Sequence, residues 1–324
     1  MSDETEREPD APPPDAASAA VPADDPSLRC GMVAVIGRAN VGKSTLINAI
    51  MEEKVSIVSP VAQTTRNLIR AILTEPRGQL VFLDTPGVHK APGELGKLMN
   101  KQARGSIEGS DVALLVLDQS QHPGIEDDGW MRRLVHEPVT VMALLNKTDK
   151  NAGCRQEYED LWKAICTEKG VEKDIRWIQA SALKPEGIEE LVNILFDHMP
   201  CAPLLFPADM LTDFPRLLNM ADIIREQLLA VLFEEIPHAL GVVVEKVDET
   251  EKGWTVSATI YVHKHSQKVI VLGAKGRQLR AVKRKSEKAL TEMYERPVKV
   301  NLWVKAEPTW SKNFWYLKKM GYMP

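Results

Sequence analysis

The sequence predicts an α/β domain with a mainly parallel sheet and flanking helices, followed by a smaller α+β domain. Three observations carry this. Residues 37–44, Gly-Arg-Ala-Asn-Val-Gly-Lys-Ser, match the phosphate-binding pattern G-x-x-x-x-G-K-[ST], between a β-branched run and a helix-like one. Strand-like and helix-like stretches alternate as far as Pro200, the pattern of a sheet wound with helices. Beyond a proline-bearing connector, apolar and polar residues alternate at period two around a basic, glycine-containing segment.

The 324 residues suit two domains, and no apolar run nears the roughly 20 residues that span a bilayer. Cys30, Cys154, Cys166 and Cys201 are scattered without a C-x-x-C pair, as expected of reduced thiols rather than a disulfide framework or a zinc site. Net charge is −4, yet residues 217–324 hold eighteen bases against twelve acids. The opening segment is rich in Asp, Glu, Pro and Ala and has no aromatic residue. It cannot bury enough apolar surface to order itself, so residues 1–28 read as a disordered acidic tail. It lacks the apolar core of a signal peptide and is too acidic for an organelle transit peptide. The expected organisation is this tail, a first domain over 29–200, a linker over 201–216 with prolines at 203, 207 and 215, and a second domain over 217–324.

In the first domain, Met32–Ile36 reads as a buried strand and Thr45–Met51 as a helix start. Gly37 and Gly42 permit backbone angles that a Cβ forbids. The loop residues Arg38, Ala39, Asn40 and Val41, with Thr45 behind them, can then turn N–H groups onto a polyphosphate at the positive end of a helix. Lys43 would neutralise β- and γ-phosphates and Ser44 would hold Mg²⁺. Alone, this leaves ATPase, GTPase and kinase open. A second strand, Gln79–Leu83, ends in Asp84-Thr85-Pro86-Gly87. Asp84 suits a position reaching Mg²⁺ through water, and Gly87 can give its N–H to a γ-phosphate. A third strand, Val141–Leu145, precedes Asn146-Lys147-Thr148-Asp149. The Asp149 carboxylate can accept hydrogen bonds from guanine N1–H and its 2-amino group. Adenine offers neither donor and would leave the carboxylate buried and unpaired. Asn146 would brace the loop and reach the base edge, and the Lys147 stem would cover the base face. After Ile175–Ile178, a backbone N–H of the Ala180-Ser181-Ala182 turn, at Ser181 or Ala182, would meet guanine O6.

The second domain opens on helical spacing over 217–235. A strand starts at Val242–Val244. After a hairpin turn over Asp248–Gly253, a half-buried strand alternates Trp254, Val256, Ala258, Ile260 and Val262 with polar residues. Lys264 to Lys288 holds nine Lys or Arg against one Glu, around Gly273-Ala274-Lys275-Gly276. Such G-x-x-G loops clamp the backbone of about four nucleotides. Lys275 supplies local charge, and Arg277, Arg280, Lys283 and Arg284 line the start of the next helix. Val269–Leu272 is strand-like by propensity, whereas the resemblance of the G-x-x-G segment to a KH domain, whose helix–turn–helix frame the amphipathic stretch 277–294 needs, makes it helix. A last strand shows period two at Val298, Val300, Leu302 and Val304. Trp310, Phe314, Trp315, Tyr316 and Tyr322 close the chain, and docking on the sheet is favoured over a base-stacking surface.

The four motifs in this order resemble a translation-factor-type GTPase domain. Gly-Arg-Ala-Asn-Val-Gly-Lys-Ser-Thr, Gln-Thr-Thr-Arg-Asn at 63–67 and Asp-Thr-Pro-Gly-Val-His-Lys at 84–90 resemble the Era family of bacterial GTPases, in which a type II KH domain follows the G domain. The resemblance makes Gln63, Thr64, Thr65 and Arg66 the switch I segment, with Thr65 the first choice and Thr64 the second for a hydroxyl on Mg²⁺. It implies GTP and GDP as ligands and slow intrinsic hydrolysis carried by Mg²⁺, Lys43, Thr65 and Gly87. Val88 stands where signalling GTPases carry a catalytic glutamine, and Val41 would screen any such glutamine. The resemblance also places K⁺ beside Asn40. As partners it implies 16S-type rRNA near its 3′ end and the 30S subunit, with the protein acting as a cytoplasmic monomer that can also sit at the inner membrane. Two rival readings stay open: a membrane-associated cell-cycle GTPase, and a constitutive RNA chaperone whose nucleotide site is structural.

Overall fold

The computed structural model describes residue 25 and residues 27–61, 64–87, 94–150, 153–185, 187–232 and 236–323. Most of the expected acidic tail, together with Gln63 and Val88, lies outside the described residues.

The first part of the chain runs β1 (Arg29–Ile36), α1 (Lys43–Met51), β2 (Ile69–Glu75), β3 (Gly78–Asp84), α2 (Glu94–Glu108), β4 (Val112–Asp118), α3 (Ile125–Leu134), β5 (Thr140–Asn146), α4 (Arg155–Lys169), β6 (Arg176–Gln179) and α5 (Ile188–Asp197). Its sheet has the order β2-β3-β1-β4-β5-β6, parallel except for β2, which pairs antiparallel with β3. A parallel sheet covered by helices on both faces needs strands apolar on both sides, and β4 is buried at every position. One core packs α1 and α5 against the sheet through Leu46, Ile47, Leu191 and Leu195. The other packs α2, α3 and α4 through Ala103, Met131 and Trp162. The β1, β3 and β5 carboxyl ends therefore open on one edge, where α1 begins.

The stretch 201–216 does not hang free. Ala202 N–H donates to the Leu28 carbonyl at 2.9 Å, and Ile72 N–H to that of Leu211 at 2.9 Å. Buried Gln79 accepts from the N–H groups of Leu205 and Phe206, at 2.9 Å each. The prolines thus lead a strap along the outer strands of the sheet.

The remainder runs α6 (Arg216–Leu229), β7 (Leu240–Thr250), β8 (Gly253–Val262), α7 (His265–Leu272), α8 (Arg277–Tyr294), β9 (Val298–Ala306) and α9 (Phe314–Lys319). Strands β7 and β8 are antiparallel, and β9 adds parallel to β8 as an edge. Tertiary packing overrides β propensity at Val269–Leu272, which is helix. The helix expected over 217–235 ends at Leu229. The hairpin turn is shorter than Asp248–Gly253, because the strands run on to Thr250 and resume at Gly253. Strand β8 is not half-buried throughout. Thr259 and Tyr261 are buried because the chain's end covers the second face, with Val243, Trp310, Leu317 and Tyr322 in one cluster. Tyr316 meets Tyr261 at 4.8 Å and Trp310 stacks on His263 at 5.2 Å. Phe314 and Trp315 instead stay 48 % and 71 % exposed, so docking accounts for only part of the aromatic set.

Trp310→Ala should cost about 3–5 kcal/mol in a urea unfolding curve, the range for emptying a buried aromatic site. Trp315→Ala should stay within about 0.5 kcal/mol of the parent.

Candidate nucleotide site and nucleic-acid interface

At the open strand ends a cavity of about 380 Å³ is lined by Asn40, Lys43, Thr65, Gly87, Asp149 and Ala182 among others. Its floor is the loop between β1 and α1. Gly42 has φ +104°, and a Cβ there would sit 2.4 Å from the Asn146 amide nitrogen. The Asn146 side chain donates to the Val41 carbonyl at 2.8 Å, and its Oδ1 accepts from Lys147 N–H at 2.8 Å and Ala182 N–H at 3.0 Å. Its bracing role is therefore visible. Of the two N–H groups offered for guanine O6, at Ser181 and Ala182, that of Ala182 here donates to Asn146. Ser181 donates its hydroxyl to the Asp149 carboxylate. That hydrogen bond holds the Asp149 carboxyl below the usual carboxylate range, leaving an acceptor-only group at the cavity edge, as guanine recognition needs.

Lys147 adopts φ +67° and Asn40 φ +62°, a region that residues with a Cβ enter at a cost. The strain is local to the cavity, and the two are joined: Lys147 Nζ donates to the Asn40 carbonyl at 2.8 Å and pairs with Asp118 at 2.6 Å. Asp118 was not anticipated. Its signal is the one that marked Asp84, an acid ending a buried apolar strand.

Lys43 Nζ donates to the carbonyls of Gly37 and Arg38 at 3.0 and 2.9 Å. Burial pushes its ammonium down to about 8, against the pull of Asp84 and Glu126. Ser44 Oγ donates to Asp84 Oδ2 at 2.8 Å and lies 2.8 Å from Thr65 Oγ1. Asp84 is fully buried, which raises its carboxyl above the usual range, and its Oδ1 has no hydrogen-bond partner. Two hydroxyls and an under-satisfied carboxylate form an all-oxygen donor set that fits Mg²⁺. The two threonines also separate, because Thr64 Oγ1 turns back to the Val61 carbonyl while Thr65 reaches Ser44.

Two expectations change. Val41 is fully buried in the first core and faces away from the cavity, so it cannot screen the hydrolytic site. Arg66 is buried against the second sheet, where it donates to the carbonyls of Leu240 and Pro237. Thr85 lines the cavity and also donates its hydroxyl to the Val35 carbonyl at 2.8 Å, which fastens β3 to β1. Pro86 is buried beside it, and a Cβ on Gly87 would come within 2.9 Å of Ala39 Cα, so the two phosphate-side loops touch. Arg38 pairs with Asp127 at 3.5 Å, and Thr45 lines the cavity.

In the second domain the G-x-x-G loop is a tight turn with positive φ at Gly273, Lys275 and Gly276. A lysine held at φ +50° is strained backbone at an exposed tip. Helix α8 starts directly behind it with no acid in its first turn, only Arg277 and Arg280. Bases at the positive end of a helix dipole oppose the helix and favour an anion. Arg280 and Lys283 line a groove of about 380 Å³ against the edge strand β9, where Leu302 and Trp303 form the other wall. Trp303, 51 % exposed, escaped the sequence reading although it breaks the apolar–polar alternation of its strand. Arg284 is exposed on α8, outside this groove.

Residues 32–147 match the family described as 50S ribosome-binding GTPase, and residues 235–311 match the KH domain family. "GTPase Era" of Crocosphaera subtropica is 37% identical over 306 residues, covering 93% of this chain and 95% of that protein. "GTPase Era" of Clostridium botulinum is 37% identical over 91% of this chain and 98% of its own length. Among solved structures, an Aquifex aeolicus Era variant bound to GDP·AlF4⁻ superposes with TM-score 0.82 at 32% identity, covering 91% of this chain and 99% of that one. A structure of Era with MgGDPNP and nucleotides 1506–1542 of 16S ribosomal RNA gives the same TM-score, identity and coverage.

Lys43 generates a pH prediction. Its ammonium is largely charged at pH 7 and mostly neutral at pH 9, whereas a bound polyphosphate restores the charge. Nucleotide affinity should fall about tenfold from pH 7 to pH 9, with proton uptake on binding above pH 8. Titration calorimetry in buffers of different ionisation enthalpy measures both, and Lys43→Ala should abolish the pH dependence.

Proposed function

We propose that this chain, which belongs to the Era family of GTPases, is a GTP-driven switch that binds 16S-type rRNA near its 3′ end through the KH groove and assists assembly of the 30S subunit. One observation carries the reading. One cavity brings Lys43, Ser44, Thr65 and Asp149 together, with Ser44 and Thr65 in contact, in a chain that also carries a G-x-x-G groove.

The chemistry follows from the residues. Asp149 accepts from the guanine edge, Asn146 fixes the loop that carries it, and the Lys147 stem covers the base. Lys43 moves from the loop carbonyls to the β- and γ-phosphates and offsets the charge that builds on the leaving oxygen. Ser44, Thr65 and, through water, Asp84 would hold Mg²⁺, which when bound neutralises phosphate charge and orients the γ-phosphate. Gly87 offers its N–H to the γ-phosphate. Val88 stands where signalling GTPases carry a catalytic glutamine, and intrinsic hydrolysis is accordingly slow. Asn40, strained beside the phosphate loop and donating to the Pro60 carbonyl at 2.9 Å, marks the side on which K⁺ would add positive charge. With GTP bound, Thr65 and Gly87 are held on the γ-phosphate and the KH groove is presented, and hydrolysis releases both. The protein acts as a monomer in the cytoplasm. Its lysines and arginines would also attract anionic lipid at the inner membrane by charge, and no helix among the described residues is long and apolar enough to cross a membrane.

RNA affinity tests the switch. A labelled RNA with the sequence of nucleotides 1506–1542 of 16S rRNA should bind more tightly with a GTP analogue than with GDP or no nucleotide, and equal affinities reject the switch. Removing Lys275 or Arg280 should reduce the salt slope of that binding by about 0.7 each. Turnover should be faster in K⁺ than in Na⁺ buffer, with the difference lost in Asn40→Ala.

A further inference from the structure

The segment carrying Thr65 is gripped from the second domain on both sides. Helix α6 supplies Asp222, Arg225 and Glu226, spaced three and four apart and so on one face. Arg225 is 1 % exposed, pairs with Asp222 at 2.9 Å and donates to the carbonyl of Thr64. Glu226 accepts from the N–H of Val58 at 3.0 Å and pairs with Lys54. On the other side of Thr65, Arg66 is also 1 % exposed and donates to the carbonyls of Leu240 at 2.7 Å and Pro237 at 3.1 Å. Asn67 then donates to the Met320 carbonyl at 3.2 Å. Ile57, earlier in the same loop, packs in the second domain's core with Met220 and Ile224. Thr65 itself turns the other way, toward Ser44 at 2.8 Å. Buried guanidinium groups are costly unless their donors are matched; Arg66 Nε already lacks a partner among the described residues, so losing a carbonyl at either arginine would leave a further buried donor unmatched.

The grip continues to the RNA groove. Tyr294 of α8 donates to Asn219 of α6 at 2.9 Å, and Gln278, in the first turn of α8, donates to the Val231 carbonyl just past α6 at 2.9 Å. Helix α8 begins at the G-x-x-G loop.

We propose that Arg225, supported by Arg66, is a positioning residue for Thr65: it fixes the Thr64 carbonyl, sets whether the Thr65 hydroxyl reaches the γ-phosphate side of the cavity, and is the joint through which bound RNA changes GTP affinity. The last element rests on the switch reading above; the positioning role does not.

Arg225→Lys keeps the charge but cannot serve Asp222 and the Thr64 carbonyl with one fork. The double variant Asp222→Asn with Arg225→Gln removes the ion pair as a unit, so neither of its members is left as a lone buried charge. Dissociation constants for a fluorescent GTP analogue and for GDP are measured in Mg²⁺ on the full-length protein, with and without the 16S fragment. In both variants the analogue should bind about tenfold more weakly, GDP affinity should stay as in the parent, and tightening by RNA should vanish. An unchanged analogue-to-GDP ratio, or an equal loss for both nucleotides, overturns the positioning role. RNA tightening that survives in the variants overturns the joint. If RNA alters nothing even in the parent, the switch reading fails, while the ratio still decides whether Arg225 positions Thr65.

Discussion

The nucleotide site hangs on one buried amide. Asn146 ends β5, yet its side chain reaches the carbonyl of Val41, the N–H of its own successor and the N–H of Ala182. Three loops from three strand ends are thereby set at hydrogen-bond distance from one side chain. Asparagine can do this because it carries two donors and an acceptor with two lone pairs in one plane. The arrangement dictates its neighbours: the amide occupies the volume a Cβ would need at Gly42, and Lys147 must take a left-handed conformation to follow it. The base-reading and phosphate-binding loops are one unit, so strain at either is shared.

What the sequence made legible is what chemistry fixes by residue type and spacing. A phosphate cradle needs Gly37, Gly42, Lys43 and Ser44 at their intervals, and guanine selection needs an acid like Asp149 after a later strand, β5. Gly42, Lys43, Ser44 and Asp149 converge on one cavity. The illegible part depends on where the backbone sends a side chain. Val41 lies in a loop of ligand-facing residues, but the turn at Gly37 aims it into the core, a choice no local pattern records. Thr259 and Tyr261 alternate as solvent-facing residues should, and only a segment about fifty residues later buries them. Arg66 sits in a switch motif and points out of the site because its carbonyl partners, Leu240 and Pro237, are about 170 residues away in sequence.

The second interface trades stability for charge. A helix of eighteen residues that opens with Arg277 and Arg280, and with no acid in its first turn, forgoes the usual favourable interaction with its own dipole. The preceding lysine is held in a conformation that costs on the order of 1–3 kcal/mol. Neither feature improves packing, since no residue of the loop itself is buried. Both direct positive potential toward the tip, where a phosphate would repay them. The edge strand β9 completes the surface with an aromatic wall at Trp303, so charge and a stacking face meet in one groove, as single-stranded RNA recognition requires.

Coupling between the two sites is a matter of magnitude as well as contact. Allosteric couplings run about 1–3 kcal/mol, and a charged hydrogen bond contributes about 1.5–3 kcal/mol. One contact of the Arg225–Thr64 kind is therefore enough to carry the effect, provided it is made in one nucleotide state and broken or lengthened in the other. Packing alone would serve less well. Ile57 in the second core is non-directional and yields gradually, whereas a guanidinium fork loses its carbonyl within a fraction of an ångström. The domain boundary is thus placed where a small movement of Thr65 has a steep energetic consequence. The connector over 201–216, tied along β2 and β3 by Leu211 and Gln79, keeps α6 near enough for that movement to be felt.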